Sequence, residues 1–235
     1  MMKIKGNKKV MLILACFITG AIIISNLIAS FAFRSIMPWL LGPAESYSVW
    51  LWAWPWDAPF GKISRLVING KNIRIPGNPK FERLKIDIHN IDLDPLSWSI
   101  GKIKKTKFTA KLNQDDINKY LVGKLGPITN HKLLLLPGKI AFEGIYNGPL
   151  KIMIPISLKG ELEIKRKQVV ILKLDHLKII DTTIPPLLLK IVQPIINPVV
   201  DLRKGKIKFF IDRCEVKEQV ILIEGEAFIK TGKKS

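Results

Sequence analysis

The sequence predicts an α+β fold: a long curved antiparallel β-sheet wrapped around a kinked apolar helix, with an N-terminal transmembrane helix. Three patterns carry this reading. Val10 to Phe33 contains no charged side chain. Even-numbered positions from Leu150 to Ile164 are apolar or glycine without a break, with mostly polar residues between them. A third stretch, Ile184 to Leu202, is almost wholly apolar and is interrupted by prolines.

The first run has the length of a membrane span. At 1.5 Å per residue it reaches roughly 36 Å as a helix, against a hydrocarbon core of about 30 Å. Lys3, Lys5, Lys8 and Lys9 precede it and only Arg34 follows closely, so the positive-inside bias puts the N-terminus in the cytoplasm and the main domain outside. The apolar run exceeds the 7–15 residues typical of a cleaved signal peptide. Ile13-Leu-Ala-Cys16 lies too near its start for a lipoprotein cleavage box, so an uncleaved anchor is expected. The chain then divides into a cytoplasmic basic N-terminus (1–9), a transmembrane anchor (10–33), a Trp/Pro-rich juxtamembrane segment (34–61) and an extracytoplasmic domain (62–235), which is long enough for one core. Cys16 and Cys214 fall in different parts of this plan and form no pair for a disulfide or a metal motif.

In the juxtamembrane segment Trp50, Trp52, Trp54 and Trp56 alternate, so an extended backbone places their rings on one side. Tryptophan favours the headgroup layer, where its ring meets acyl carbon and its N–H stays wet. The same rings would also serve to cover one end of the domain core, and both roles hold for a domain lying on the membrane.

From Lys62 onward strands dominate. Asn69-Gly70 between β-branched runs predicts a hairpin turn within Leu66–Ile75. Leu84, Ile86 and Ile88 alternate with polar residues. The phase slips at Asn90 so that Ile91 and Leu93 continue it, which predicts a bulge. Thr106, Phe108, Ala110 and Leu112 alternate again. Asn113 reads as an N-cap for a short helix, with Asp115 and Asp116 at its positive end and Gly123 closing it; capping accounts for the aspartates without a metal.

The alternating run to Ile164 would be roughly 50 Å long at 3.3 Å per residue, and it turns through Lys165-Arg-Lys-Gln168 into a second run, Val169 to Ile180. Strands of this length suit an elongated, twisted sheet with one apolar face. The cover for that face is Ile184–Leu202, read as a buried helix that Pro194 and Pro198 kink. A closing hairpin joins Lys206–Ile211 to Val220–Ile229.

No catalytic constellation stands out. His89, His131 and His176 lack metal spacing, and there is no phosphate loop or nucleophile elbow. His89, Asp92 and Asp94 form the densest polar cluster, where a strand bulges and turns at Pro95. The formal net charge of +19 fits the footprint of a nucleic-acid binder. An outward-facing domain does not meet nucleic acid, so an anionic lipid surface or wall polymer is the expected counterpart.

Thr183-Ile-Pro-Pro-Leu-Leu-Leu-Lys-Ile-Val-Gln-Pro-Ile-Ile-Asn-Pro-Val-Val-Asp-Leu202, followed by a strand pair ending Ile223-Glu-Gly-Glu-Ala227, resembles the LmeA-type phospholipid-binding family of bacterial envelope proteins. Phe108 to Leu121 and Gly138 to Gly144 are similar too, and the resemblance covers roughly Lys62 to Lys230. It implies phospholipid binding without catalysis or cofactor, and kinship with tubular lipid-binding folds, whose curved sheet wraps a long helix and holds acyl chains. The Trp39–Phe60 stretch and the high charge depart from the family pattern.

The expectation is therefore a non-catalytic phospholipid binder, single-pass in the cell membrane, that takes part in lipid transfer or homeostasis. Acyl chains would lie in an elongated apolar groove against Ile152, Ile154, Ile156, Leu158, Leu162 and Ile164, and against Leu187, Leu188 and Ile191. Lysines would meet the phosphate, and Trp50, Trp52, Trp54 and Trp56 would seat the mouth on the bilayer. The same apolar residues would equally build a closed core. The alternative function is an extracytoplasmic scaffold or assembly protein that binds an anionic wall polymer or envelope partner through its basic surface. A lipid or glycan hydrolase centred on His89, Asp92 and Asp94 is the third class.

Overall fold

The computed structural model describes residues 8–54, 56–57, 60–94, 99–126, 128–147, 153–179, 182–183, 193–194, 196–204 and 207–228. A long helix, α1 (Lys8–Leu41), leads into two curled antiparallel sheets. The α+β class with antiparallel sheets is as the alternation predicts.

The first sheet contains β1 (Ser46–Trp52), β2 (Lys62–Ile73), β3 (Phe81–Asp94) and β4 (Ser99–Asn113) in chain order. Helix α2 (Gln114–Val122) then carries the chain to the second sheet. There β5 (Ile128–Leu136), β6 (Lys139–Asn147), β7 (Met153–Lys165) and β8 (Val169–Ile179) follow as a meander. Two short strands, β9 (Thr182–Thr183) and β10 (Val200–Asp201), both pair with β8. The last two, β11 (Lys208–Lys217) and β12 (Val220–Phe228), return to the first sheet, giving the order β1-β2-β3-β4-β12-β11. The second runs β10-β8-β7-β6-β5.

The inner faces of both sheets share one core. Phe108, Phe209, Ile211, Ile221 and Ile223 from the first meet Leu133, Leu135, Phe142, Leu158 and Val170 from the second. Backbone bonds lock the sheets at their rims. The Gly138 amide donates to Val216, Gln219 to Leu135 and Gln114 to Gln219, so two hairpin tips and the start of α2 form one junction. At the β7–β8 turn, Arg166 and Lys167 both take left-handed φ values of 52° and 55°. This primed geometry matches strand twist but is disfavoured for side chains larger than glycine. The Ile211 amide, from β11 of the first sheet, donates to the Lys167 carbonyl and fixes the turn.

The alternation Thr106, Phe108, Ala110, Leu112 is fully buried on one face of β4. Ile88 and Ile91 are both buried too, so the phase does slip at Asn90, whose φ is 53°. The ladder stays in register there, and the offset between β3 and β4 falls at Asp92/Leu93 instead. The register holds because the slip is shared by neighbours. Leu66 and Thr106 flank Ile88, Ile63 and Ile103 flank Ile91, and these four residues turn inward as well: Leu66, Thr106 and Ile63 are buried and Ile103 packs against the core. Three strands bend together at one level.

Two expectations are corrected. Asn69-Gly70 is no hairpin turn, because β2 runs straight through it and the chain turns at Pro76-Gly77, where Gly77 has a φ of 76°. A Cβ on Gly70 would collide with the Ile73 side chain and the Tyr47 ring, so glycine is required there by packing and not by backbone reversal. The apolar segment ending at Leu202 is not helical to its end. Gln193, Pro194 and Ile196 are helical and Asn197 donates back to Gln193, but after Pro198 the chain becomes β10 against β8. A proline there offers no N–H to continue the helix. Residues 184–192, expected as the helix body, lie outside the described residues.

Helix α2 forms where expected. Asn113 is at its N-cap in extended conformation but makes no side-chain cap bond, and Gly123 ends it in a right-handed conformation. Asp116, buried, pairs with Lys80 at 3.1 Å.

Candidate lipid site and membrane-facing edge

The even-numbered face of β7 points inward. Ile156 and Leu158 are buried in the common core, while Ile154, Leu162 and Ile164 are partly buried against it. Lys159, Glu161 and Glu163 alternate with them on the exposed side. Ile152, Leu187, Leu188 and Ile191 lie outside the described residues. The strand passes against β11 of the other sheet, and beside Leu162 a cleft of about 360 Å³ opens between Leu162, Cys214, Val216, Glu161, Glu215, Gly138 and Lys217. Burial pushes the Cys214 thiol up to about 12. The thiol stays protonated at neutral pH and behaves as an apolar wall rather than a nucleophile.

Edges of both sheets are closed by side-chain amides, a feature that sequence periodicity does not reveal. Asn118 of α2 accepts from the Leu133 amide at 2.8 Å and donates to its carbonyl at 3.0 Å, and the Leu135 amide donates to Gln114 at 2.8 Å. On β8, Asn197 accepts from Leu172 at 2.7 Å and donates back at 2.9 Å. Asn78 brackets Asp201 of β10 at 2.6 and 2.8 Å, joining the β2–β3 turn to the second sheet.

The same device fastens α1 to β1. The Leu51 amide donates to Ser30 Oγ at 3.2 Å, and the Ala53 amide donates to Asn26 Oδ1 at 3.3 Å. Four helical residues rise about 6 Å, close to the roughly 6.7 Å between alternate strand residues. An i, i+4 polar pair on a helix therefore matches the N–H spacing of an edge strand. Asn26/Ser30 on β1 and Gln114/Asn118 on β5 are two instances of one fit. Further along α1, Met37 and Leu41 enter the core. Among the described residues on the other side of the helix, Phe17, Ile24, Leu27, Ile28 and Phe31 are all more than half exposed.

Beside this helix the four tryptophans form a continuous ladder. Trp50 and Trp52 stack at 6.2 Å, Trp52 meets Trp54 edge-on at 5.7 Å, and Trp54 stacks on Trp56 at 5.2 Å. All four rings are exposed, as is Phe60.

The outer face of the first sheet continues from the ladder as a cationic surface. Trp52, Arg65, His89 and Lys105 are cross-strand neighbours in one row; Trp50, Val67, Asp87 and Lys107 form the next. Asp87 takes a bidentate pair from Arg65 at 2.9 and 2.6 Å and lies 3.1 Å from His89. Hydrogen bonds from Arg65 hold its carboxyl below the usual carboxylate range. His89 is thus engaged with Asp87, and the expected grouping with Asp92 is not the contact it makes. A cleft of about 560 Å³ lies here, lined by Lys85, Asp87, His89, Asn90, Lys105, Lys107 and Thr109.

The sequence matches the LmeA-like phospholipid-binding family over residues 58–226. The chain belongs to that family. No curated protein and no solved structure matches it. The LmeA-like region takes in β2 to β11 and most of β12, including the β7 face, both clefts and three of the four asparagine brackets. It begins after the tryptophan ladder, so α1, β1 and the Asn26–Ser30 fastening lie N-terminal to the matched region. Asn26 and Ser30 were legible only as polar interruptions of an apolar run.

Proposed function

We propose that this protein is a membrane-anchored, non-catalytic phospholipid-binding protein of the bacterial cell envelope that holds acyl chains against the inner face of β7 and takes part in lipid transfer or homeostasis. Membership of a phospholipid-binding family over most of the chain is the observation that carries this reading. The described part of the expected groove supports it: Ile154, Leu162 and Ile164 form a partly covered apolar margin around the buried Ile156 and Leu158. Ile152, Leu187, Leu188 and Ile191 would extend that margin. Each acyl methylene removed from water adds about 0.8 kcal/mol.

The anchor is α1, with its N-terminus in the cytoplasm and the sheets outside. By length and composition Ile22–Leu41 is able to cross a membrane. The crossing segment is better placed at Val10–Phe33, because Arg34 interrupts the later stretch and Met37 and Leu41 are committed to the core. The bare face of α1 and the tryptophan ladder would then meet lipid together. Inside a bilayer an edge strand finds no water for its amides, and the bonds from Leu51 and Ala53 to Ser30 and Asn26 answer that need.

The test is native mass spectrometry of the full chain released from nanodiscs, under activation that strips loosely attached lipid. A stoichiometric phospholipid that survives, and that is lost in Leu162→Arg, is the expected result. Bare protein under the same conditions overturns the reading.

A further inference from the structure

The cationic cleft on the outer face of the first sheet is separate from the β7 face, which looks into the core. Its depth relative to a bilayer follows from α1, so the inference rests on the anchored reading above. Lys9 is the last charge before the apolar run, and about 20 helical residues cross a 30 Å core. The outer boundary of hydrocarbon then falls close to Ser30. Ser30 is bonded to Leu51, between Trp50 and Trp52, so the rows that begin at those tryptophans lie at headgroup depth.

The side chains met along those rows are Arg65, Asp87, His89, Lys105 and Lys107, with Lys85 and Thr109 one row further out. Asp87 is occupied by Arg65 and His89. Lys105 and Lys107 are exposed and have no ion-pair partner among the described residues, although Lys107 stands opposite Glu226 of β12 in the ladder. As alternate residues of one strand they project from the same face about 7 Å apart. The shared phase slip adds Asn90, which is turned outward beside His89 by its left-handed backbone, as an amide at the rim. Ammonium groups, an amide and a hydroxyl around a water-accessible hollow, in rows that lead across β2 to the exposed indoles of β1, form a setting for a phosphodiester.

We propose that this cleft binds the phosphate of an anionic phospholipid in the outer leaflet, with Lys105 and Lys107 as its principal ligands, and so fixes the domain on the bilayer at a second point besides α1. The cation count favours lipids with net negative charge over zwitterionic ones, since a zwitterionic headgroup brings its own ammonium to a site already rich in them.

The experiment uses the full chain in nanodiscs of phosphatidylcholine containing a minor share of phosphatidylglycerol, with lipid released alongside the protein identified by native mass spectrometry. The wild type should retain phosphatidylglycerol over its share in the disc by roughly fivefold, falling with added salt. Lys105→Glu/Lys107→Glu should return the ratio to that of the disc. Lys159→Glu/Lys173→Glu, an equal charge change on the second sheet, should leave the enrichment intact. Equal loss in both pairs, or no enrichment in the wild type, overturns the site. A ³¹P shift of inorganic phosphate that requires Lys105 and Lys107 in phosphatidylcholine-only discs would show that the cleft takes free phosphate, and overturns the lipid assignment. A wild type that retains a stoichiometric lipid without headgroup preference marks failure of this site while the acyl-binding reading stands.

Discussion

The carboxamide of Asn26 engages both backbone groups of Ala53, accepting from its amide at 3.3 Å and donating to its carbonyl at 3.5 Å. A residue in the middle of an apolar helix thereby acts as a partner to the strand end of a sheet. This makes α1 part of the folded domain rather than a tether from which the domain hangs.

Replacing Asn26 and Ser30 together with alanine should free the edge of β1. Amide exchange at Leu51 and Ala53 should rise well above that of the Tyr47 region, and unfolding stability should fall by about 1–3 kcal/mol, as for buried groups left without a partner. Unchanged exchange at both amides would show that β1 does not depend on the helix.

Asn197→Ala removes two hydrogen bonds from Leu172, which is 1% exposed, and leaves its backbone without those partners. A loss of about 2 kcal/mol in denaturant unfolding is expected. Asn197→Asp should fall short of rescue, because a carboxylate cannot donate to the Leu172 carbonyl.

Leu158 and Leu162 sit two turns of the same alternation apart but differ in burial, and this separates core from groove. Leu158→Ala, at a fully buried site, should cost about 2–5 kcal/mol in stability. Leu162→Ala, at the margin, should cost clearly less while lowering the fraction of chains that retain phospholipid. Equal stability losses with unaltered lipid retention would mark the whole face as closed core.

Hydrogen bonds from Arg203 depress the carboxyl of buried Asp201 below its ordinary value. A depressed native pKa stabilises the fold above the unfolded value near 3.8 and loses that contribution as pH falls through the native one. Arg203→Leu should therefore move the onset of acid unfolding, followed by circular dichroism, to higher pH. An onset at the wild-type pH would show that the pair does not govern acid stability.

The tryptophan ladder is exposed to measurement as well as to solvent. In nanodiscs, bromine on the upper acyl carbons of phosphatidylcholine should quench the emission of Trp50, Trp52, Trp54 and Trp56. Trp54→Ser/Trp56→Ser should remove about half of the quenched signal. Emission that ignores the bromine would place the ladder away from lipid.

How far the sequence foretold this structure depended on the range of the interaction. Thr106 to Leu112 and Ile154 to Ile164 were legible because a two-residue period is written in neighbouring positions. The slip at Asn90 was visible in one strand, but its extension to Ile63 and Ile103 exists only in the register between strands. Asn69-Gly70 misled because the turn signal ignores packing, whereas the demand for a small residue at Gly70 comes from the side chains of Ile73 on the same strand and Tyr47 on its neighbour. Of the candidate site, the even face of β7 could be read from periodicity and the cationic cleft could not. Arg65, Asp87, His89 and Lys105 come from three strands and carry no shared spacing.

The strand order of the first sheet has a consequence for biosynthesis. β12, the last strand among the described residues, fills the position between β4 and β11, where Gly225 lies opposite Phe108. Until it arrives, one side of β4 presents a row of unpaired amides, and in the anchored arrangement proposed above that row would stand beside the bilayer. Such pairing across a large sequence separation is slow, and an open edge of this kind is where chains join one another instead of themselves. Maturation would thus be a race between the β11–β12 hairpin and neighbouring chains, which makes that hairpin the place where crowding and chaperone supply would decide the yield.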